Sequence, residues 1–311
     1  MRQFVPILSN PHALTILGNF WPRNLDFTPY PSTRELYQTE PDVQVLVETQ
    51  TPQNSTAEII LVHGLEGAAD AAYMRALAHH ALTQNFTTHR FNMRTCGGTE
   101  HLCTTLYHGG LTSDLRRYVQ LLKSKLPVFL TGFSLGGNVV LKLAGELAND
   151  GPKLLAGVCA VSAPIDLAMA AHRINAPANF LYQRRFVTRM RARLTATGRY
   201  SAATLKPLET LYDIDDKITA PSFGFGNADR YYATQSSNQF LPAIRIPTLL
   251  IAAQDDPLIP FQMYRDAAPE SNPLIQTIYP KHGGHLGFIA SRKPRFWADE
   301  TILEWAQNHT R

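Results

Sequence analysis

Short apolar runs alternate with amphipathic segments along much of the chain. The apolar runs predict strands buried in a sheet, at residues 58–63, 87–92, 128–130, 156–162, 248–253 and 275–279. Apolar positions at three- and four-residue spacing predict helices at 73–84, 113–123 (capped by Ser113 or Thr112), from 138 onwards, 261–267 and 295–308. Strands and helices that alternate in this way require a mostly parallel, doubly wound sheet with right-handed crossovers.

The first part of the chain has a different pattern. Residues 34–39 and 43–49 alternate apolar and polar positions, which predicts an antiparallel pair at the sheet edge. Residues 1–33 are rich in proline and aromatic side chains, and we expect an irregular arm with a short helix near 12–17.

The strand–helix alternation stops at about residue 166 and resumes after 244. The intervening residues carry scattered aromatics and many arginines, and they contain no strong strand pattern. Because the sheet pattern resumes afterwards, we expect one domain over residues 1–311, with residues 166–244 forming a helical cap inserted within it.

Composition limits the class of protein. Hydrophobic residues make up 44% of the 311 residues and charged residues 17%, which predicts a folded domain rather than a disordered chain. The net charge of +4 and the lack of a continuous basic stripe argue against nucleic-acid binding. Three cysteines without C-x-x-C spacing favour a reducing cytoplasm over a disulfide framework or a thiolate zinc site. No apolar run is long enough for a secretory signal or a spanning helix.

The segment with the clearest chemistry is Gly132-Phe133-Ser134-Leu135-Gly136, between a predicted strand and a predicted helix. A G-x-S-x-G turn in this context holds a serine in a strained conformation at the carboxyl end of a strand. The two flanking glycines leave room for close strand–helix packing. Ser134 is therefore a candidate nucleophile, with a helix N-terminus behind it that suits a developing anion.

A serine hydroxyl needs a base, and the base needs an orienting group. Both are expected on loops after later strands, at the carboxyl ends of the sheet. One such strand is followed by Asp255 and Asp256, and the last is followed by a loop containing His285. The chain order Ser–Asp–His is that of the α/β-hydrolases. Either aspartate satisfies this order.

These motifs together resemble the α/β-hydrolase superfamily, and within it the YheT-like branch. The resemblance rests on Asn10-Pro11-His12 with Thr15, HGLEG at 63–67, NMRTCGG at 92–98, GFSLGGN at 132–138, AQDDPLIP at 253–260 and GGHLGF at 283–288. At residue 95 the family usually has glycine, so Thr95 departs from the pattern.

The resemblance implies specific roles. Ser134 would attack an ester carbonyl and His285 would accept its proton. Asp256 is preferred over Asp255 as the acid, because the superfamily usually places a proline four residues later, as Pro260 is here. The main-chain N–H groups of Leu65 and Leu135 would form the oxyanion hole.

The sequence therefore predicts a cytoplasmic serine hydrolase of the carboxylesterase type, acting on short- to medium-chain acyl esters through an acyl-serine. No cofactor or metal is expected. The expected partner is a small-molecule ester, with no nucleic acid and no membrane span; the sequence does not specify an oligomeric state. One alternative is acyl transfer to an alcohol from the same acyl-serine. Another is a binding protein that keeps the fold without catalysis.

Other residues have simpler interpretations. His282 is interpreted as a loop histidine rather than a metal ligand, because no H-E-x-x-H helix or third ligand accompanies it. His63 is expected to hold the loop that shapes the oxyanion hole. Cys96 is expected to be a half-buried, inert thiol; a reactive thiol in the Gly-rich loop near the site is the alternative. The arginines at 184, 185, 189, 191 and 193 favour a solvated face of the cap; steering towards anionic lipid is the alternative.

Overall fold

An eight-stranded sheet forms the centre of the protein. The computed structural model describes residues 3–310. The strands are β1 (Thr33–Glu40), β2 (Val43–Gln50), β3 (Ala57–Val62), β4 (Phe86–Phe91), β5 (Val128–Phe133), β6 (Gly157–Val161), β7 (Thr248–Ile251) and β8 (Ile275–Ile278). Their spatial order is β1-β2-β4-β3-β5-β6-β7-β8. β2 pairs antiparallel with β1 and β4, and all other neighbours are parallel. The predicted parallel sheet and antiparallel edge pair are confirmed.

Helices cover both faces of the sheet. They are α1 (Pro11–Phe20), α2 (Ala72–Thr83), α3 (Ser113–Leu122), α4 (Leu135–Leu147), α5 (Gly151–Leu154), α6 (Leu167–Asn175), α7 (Phe180–Ala196), α8 (Ala202–Leu205), α9 (Leu211–Ile214), α10 (Ala220–Ser222), α11 (Ala228–Gln235), α12 (Gln262–Ala267) and α13 (Trp297–Asn308). Within the residues described, no helix is both long and apolar enough to cross a bilayer.

Alternate residues of β3 enter two separate cores. Ile59 and Leu61 pack in one apolar cluster with side chains of α2 and α13. Ile60 and Val62 pack in the other cluster, with side chains of α3 and α4. This alternation explains why the strand has no polar face: both of its faces are covered by helices.

The chain between β6 and β7 is helical. It contains α6 to α11, a π-helix at Asp215–Thr219 and a 3-10 helix at Ser237–Ala243; every residue of it is described, and none forms a strand. Apolar side chains of α6 and α7, such as Ile174 and Met190, join the same core as the β3–α4 face of the sheet. The segment is therefore packed against the sheet domain.

The short helix expected near 12–17 is observed as α1, which the Asn10 side chain caps by accepting the Ala13 N–H. Two other predicted helix starts were wrong. α4 begins directly after Ser134 rather than at 138. α13 begins at Trp297 because Arg295 is held in the preceding loop by hydrogen bonds with Ala290.

The predicted side-chain cap of α3 was also wrong. Thr112 occupies the N-cap position but makes no capping bond, and its hydroxyl donates to Glu146 instead. The Ser113 hydroxyl donates to Glu40. Both hydroxyls tie α3 to neighbouring elements rather than to its own first turn.

Candidate active site

Ser134 lies in the turn between β5 and α4, at the carboxyl edge of the sheet. Its backbone has φ 50° and ψ −121°, a conformation that is sparsely populated for any residue with a side chain. The neighbouring Gly136 leaves room for this turn. A Cβ there would lie 2.5 Å from the His63 carbonyl oxygen and closer still to that of Val62. The predicted turn is therefore observed, with β3 in direct contact behind it.

The sheet order explains why this edge can hold a site. β3 and β5 are neighbours, yet the chain leaves β3 towards β4 and leaves β5 in the opposite direction, towards β6. In doubly wound sheets, a crevice opens at the carboxyl ends of the strands where the order reverses in this way. The loop after β3 contains Leu65, and the turn after β5 contains Ser134.

Ser134, His285 and Asp256 form one hydrogen-bonded row. His285 Nε2 lies 3.0 Å from Ser134 Oγ. His285 Nδ1 lies 2.9 Å from Asp256 Oδ2. Because a carboxylate only accepts, Nδ1–H donates to Asp256, which leaves Nε2 of the neutral ring free to accept the serine proton. The structure brings together Ser134, His285 and, of the two candidate aspartates, Asp256, which the resemblance had favoured.

The loop after β7 holds Asp256 rigidly. Asp256 is buried, and its Oδ1 accepts the main-chain N–H groups of Leu258 and Ile259 at 2.8 and 3.0 Å. One carboxylate oxygen is thus bound by the loop's own backbone, and the other is directed at the imidazole.

Asp255 bonds a different part of the histidine loop. Its Oδ2 lies 3.0 Å from His282 Nδ1, and its Oδ1 accepts the Gly284 N–H at 3.0 Å. Asp255 therefore braces the loop that carries His285 without contacting that ring. His282 occupies the loop, as predicted, and its partner is this carboxylate.

Helix α1 supports the same loop from the other side. The His285 N–H donates to Thr15 Oγ1 at 2.8 Å, and that hydroxyl donates to the Pro11 carbonyl at 2.7 Å. Gly18 packs closely against Gly287: a Cβ on Gly18 would be 2.7 Å from the Gly287 Cα. The segment around Thr15, on which part of the family resemblance rests, thus contacts the loop that carries His285.

Leu65 and Leu135 border the same cavity as Ser134 and His285. Leu135 is the first residue of α4, so its N–H has no acceptor within the helix. His63 fixes the loop that carries Leu65. Its Nε2 accepts the Met93 N–H at 3.1 Å, and its Nδ1 lies 2.8 Å from the Gly64 carbonyl. Burial lowers the pKa of His63 to about 4, so the ring is neutral and Nδ1–H is the donor.

An ion pair missed by sequence analysis lies beside Leu65. Arg193 of α7 donates through Nε to both carboxylate oxygens of Glu66, at 2.9 and 3.0 Å, and through its Nη1 to Thr95 Oγ1 at 3.0 Å. Its guanidinium stacks over the Tyr107 ring, 4.6 Å from the centroid. Arg193 and Glu66 are buried at 9% and 6% exposure, so the predicted solvated face was wrong for Arg193. The departure at Thr95 was the one sequence signal near it.

The other predicted arginines differ among themselves. Arg184, Arg185 and Arg189 are exposed, as a solvated face requires. Arg191 is partly buried, and its guanidinium donates to the carbonyls of Lys206 and Leu208 at 2.8 and 2.7 Å.

Cys96 is more buried than predicted. It is 3% exposed, and burial raises the pKa of its thiol. Its sulfur is therefore held as an unreactive thiol. Cys103 and Cys159 are also buried and unpaired.

The cavity in front of Ser134 is narrow and mostly apolar. Its volume is about 60 Å³. Apolar walls come from α4, α6, α7 and the loop after β7, including Leu167, Ile174, Phe186, Met190, Leu258 and Ile259. Polar groups also reach the wall. One is Asp215, whose carboxylate accepts the Tyr232 hydroxyl at 2.7 Å. Another is His108, and burial lowers the pKa of its imidazole to about 3.

Several known proteins are similar to this chain. Residues 58–291 match a family model described as alpha/beta hydrolase fold. The YheT protein of Escherichia coli is 30% identical over 97% of this chain and 92% of its own length. A monoacylglycerol lipase of Saccharomyces cerevisiae is 32% identical over 79% of this chain, which spans only 58% of that protein.

Solved structures agree on the fold. The esterase Pf2001 of Pyrococcus furiosus superposes over 100% of both chains with a TM-score of 0.61, at 16% identity.

A third relative in sequence is a medium-chain fatty acid ethyl ester synthase/esterase of S. cerevisiae, 26% identical over 92% of this chain and 67% of its own length. Since the family model covers most of the chain and YheT nearly all of it, the chain belongs to the α/β hydrolase fold family, in the branch represented by YheT.

Proposed function

We propose that the protein is a carboxylic ester hydrolase that acts through an acyl-serine. Ser134 Oγ attacks the ester carbonyl carbon while its proton passes to His285 Nε2. The tetrahedral intermediate then breaks its bond to the alcohol oxygen, which takes that proton and leaves. Water repeats the sequence on the acyl-serine and releases the carboxylic acid. Asp256 keeps the imidazole in the tautomer that accepts at Nε2 and stabilises the imidazolium.

The oxyanion would be held by the N–H groups of Leu65 and Leu135. Both residues border the cavity beside Ser134, from the loop after β3 and the first turn of α4. Each donor of this kind is worth roughly 3 kcal/mol of transition-state stabilisation. Because the donors are main-chain groups, the leucine side chains matter only for packing.

The cavity supports a short- to medium-chain acyl group as substrate. A cavity that holds one water molecule needs roughly 10–15 Å³ of volume. The cavity beside Ser134 has a volume of about 60 Å³, so it can hold a short row of groups of about that size, such as the methylenes of an acyl chain. Residues 166–244 would act as a cap over the sheet, since α6 and α7 supply much of the apolar wall. The expected partner is a small-molecule acyl ester.

Acyl transfer to an alcohol is a second candidate. Walls that are largely apolar favour an alcohol over water in the deacylation step. One relative, the yeast ethyl ester synthase/esterase, is named for both reactions. Product ratios measured with and without added alcohol distinguish the two outcomes.

For the cell compartment we propose the cytoplasm. The support is that all three cysteines are buried and unpaired, which suits a reducing environment.

The hydrogen-bonded row of Ser134, His285 and Asp256 is the observation that carries the proposal. The test is a panel of nitrophenyl esters graded from acetyl to lauroyl, assayed with wild type, Ser134→Ala and the surface control Ser201→Ala. We expect Ser134→Ala to lose about 10⁴-fold or more of kcat, and a fluorophosphonate to label wild type and the control but not Ser134→Ala. Equal hydrolysis by wild type and Ser134→Ala would end the proposal.

A further inference from the structure

The loop that carries Leu65 is held from the helical segment by one buried arginine. Arg193 lies on α7, and its partner Glu66 immediately follows Leu65 in the loop after β3. The pair is separated by 127 positions in the chain, and both side chains are less than a tenth exposed. A buried ion pair is costly to form unless the remaining polar atoms are also bonded, so its presence here calls for a reason.

Glu66 needs support because of its backbone. Its φ is 53°, in the left-handed region that residues with a side chain rarely occupy. Tyr107 bonds it twice: the Tyr107 oxygen accepts the Glu66 N–H at 3.0 Å, and the Tyr107 hydroxyl donates to Glu66 Oε1 at 3.0 Å. The carboxylate and the adjacent peptide are thus fixed together, and the peptide before them carries the Leu65 N–H.

Arg193 completes the hydrogen bonding of Glu66 through its planar, forked guanidinium group. Nε and Nη2 bind Glu66, Nη1 reaches Thr95, and the planar face lies over Tyr107. A lysine has neither the planar fork nor the stacking face. Thr95 itself has φ 62° and is fully buried, where the family usually has glycine. Its hydroxyl gives the guanidinium a third acceptor, which offers a reason for a β-branched residue at a strained position.

We propose that Arg193 is a positioning residue for the oxyanion hole, which aligns the Leu65 N–H through Glu66 and makes that alignment depend on the packing of α7. The inference rests on the proposed function. The same helix lines the cavity with Phe186 and Met190. Any displacement of α7 would therefore remove the guanidinium from Glu66 and loosen one oxyanion donor, so the hole is complete only while the helical segment is in place.

The experiment compares Arg193→Met, Arg193→Lys, the double variant Glu66→Gln/Arg193→Met and the control Arg191→Met. The double variant avoids leaving a buried carboxylate unpaired, so a loss of folding in Arg193→Met alone does not decide the matter. Arg191 is on the same helix, but its guanidinium bonds carbonyls of Lys206 and Leu208 instead of Glu66. The measurements are kcat and KM for a butyrate ester, the inhibition constant of a trifluoromethyl ketone that forms a tetrahedral adduct, and the melting temperature.

We expect the double variant to lose about 10- to 100-fold in kcat, because a Leu65 N–H that is moved out of alignment stabilises the oxyanion less. KM should change by less than about threefold, since ground-state contacts remain. Ketone affinity should fall in proportion to kcat/KM, Arg193→Lys should be intermediate, and Arg191→Met should keep the wild-type kcat.

Three results would overturn the inference: an unchanged kcat in the double variant, an equal loss in Arg191→Met, or a loss that appears in KM alone. Failure of the proposed function looks different. In that case wild type itself shows no hydrolysis that depends on Ser134, and the positioning role falls with it.

Discussion

Asp255 and Asp256 are neighbours in the chain, yet their carboxylates bond two different histidines. Asp256 Oδ2 lies 2.9 Å from His285 Nδ1, and Asp255 Oδ2 lies 3.0 Å from His282 Nδ1. Both histidines are on the same loop after β8. One aspartate therefore sets the orientation of the ring beside Ser134, and the other sets the shape of the loop that carries it.

This division predicts unequal effects of two otherwise matched substitutions. Asp256→Asn should lower kcat by roughly 10⁴-fold, because an amide facing Nδ1 favours the wrong tautomer of His285. Asp255→Asn should lower kcat by no more than about tenfold, since it weakens only the bonds to His282 and Gly284. Steady-state ester hydrolysis measures both. A larger loss in Asp255→Asn would reverse the assignment.

Gly136 should tolerate no side chain. An added Cβ would collide with carbonyl oxygens at the end of β3, so Gly136→Ala is expected to destabilise the fold by at least about 3 kcal/mol and abolish activity. Gly98 is the matched control: its φ is 91°, but nothing lies within 4 Å of the added Cβ. Gly98→Ala should cost about 1–2 kcal/mol from backbone strain alone. Urea unfolding of both variants tests the contrast.

Thr15 should influence catalysis from a distance along the chain. Thr15→Ala removes the acceptor for the His285 N–H, and we expect a loss of about 1 kcal/mol in the free energy of unfolding. A drop in kcat of about three- to tenfold should accompany it, as the imidazole becomes less well oriented. Thr15→Ser keeps the hydroxyl and should behave as wild type. Similar losses in both variants would point to packing by the methyl group instead.

Asp215 should make stability depend on pH. Burial raises its pKa to about 6 from the ordinary 3.8. Between those values the native protein keeps a proton that the unfolded chain releases, so the free energy of unfolding falls as the pH rises through this window. The difference amounts to on the order of 3 kcal/mol.

Asp215→Asn isolates that contribution from those of other titrating groups. Relative to wild type, the variant should gain stability steadily from pH 4 to pH 6 and then show a constant difference. The measurement is urea unfolding of both proteins at several pH values. A difference that stays constant over the whole range would contradict the assigned cause.

Local pattern predicted the sheet well, and it placed a serine, an aspartate and a histidine at one edge of that sheet. Buried strands such as β3 and β7 are continuous apolar runs, and the residues that follow parallel strands must meet at one edge. The order of Ser134, an aspartate at 255 or 256, and His285 could therefore be recognised from the sequence alone. The choice between Asp255 and Asp256 came only from the resemblance, because nothing local tells which of two adjacent carboxylates faces a ring.

The contacts between distant elements were not predictable in the same way. Arg193 sits among four other arginines with no local sign that it is buried. Its partner Glu66 is distant in sequence, and the pair forms only when α7 packs on the loop. Thr15 presented the same difficulty: its hydroxyl bonds the His285 N–H across 270 positions. Helix periodicity reports which face is apolar, whereas a buried polar pair breaks that pattern.

The backbone dihedral angles at residue 134 favour glycine, whereas the proposed reaction requires the serine hydroxyl. Glycine adopts such angles freely, so Ser134→Gly should raise the melting temperature by about 1–2 °C, for a gain of about 1 kcal/mol. Removing the proposed nucleophile would then make the protein more resistant to heat.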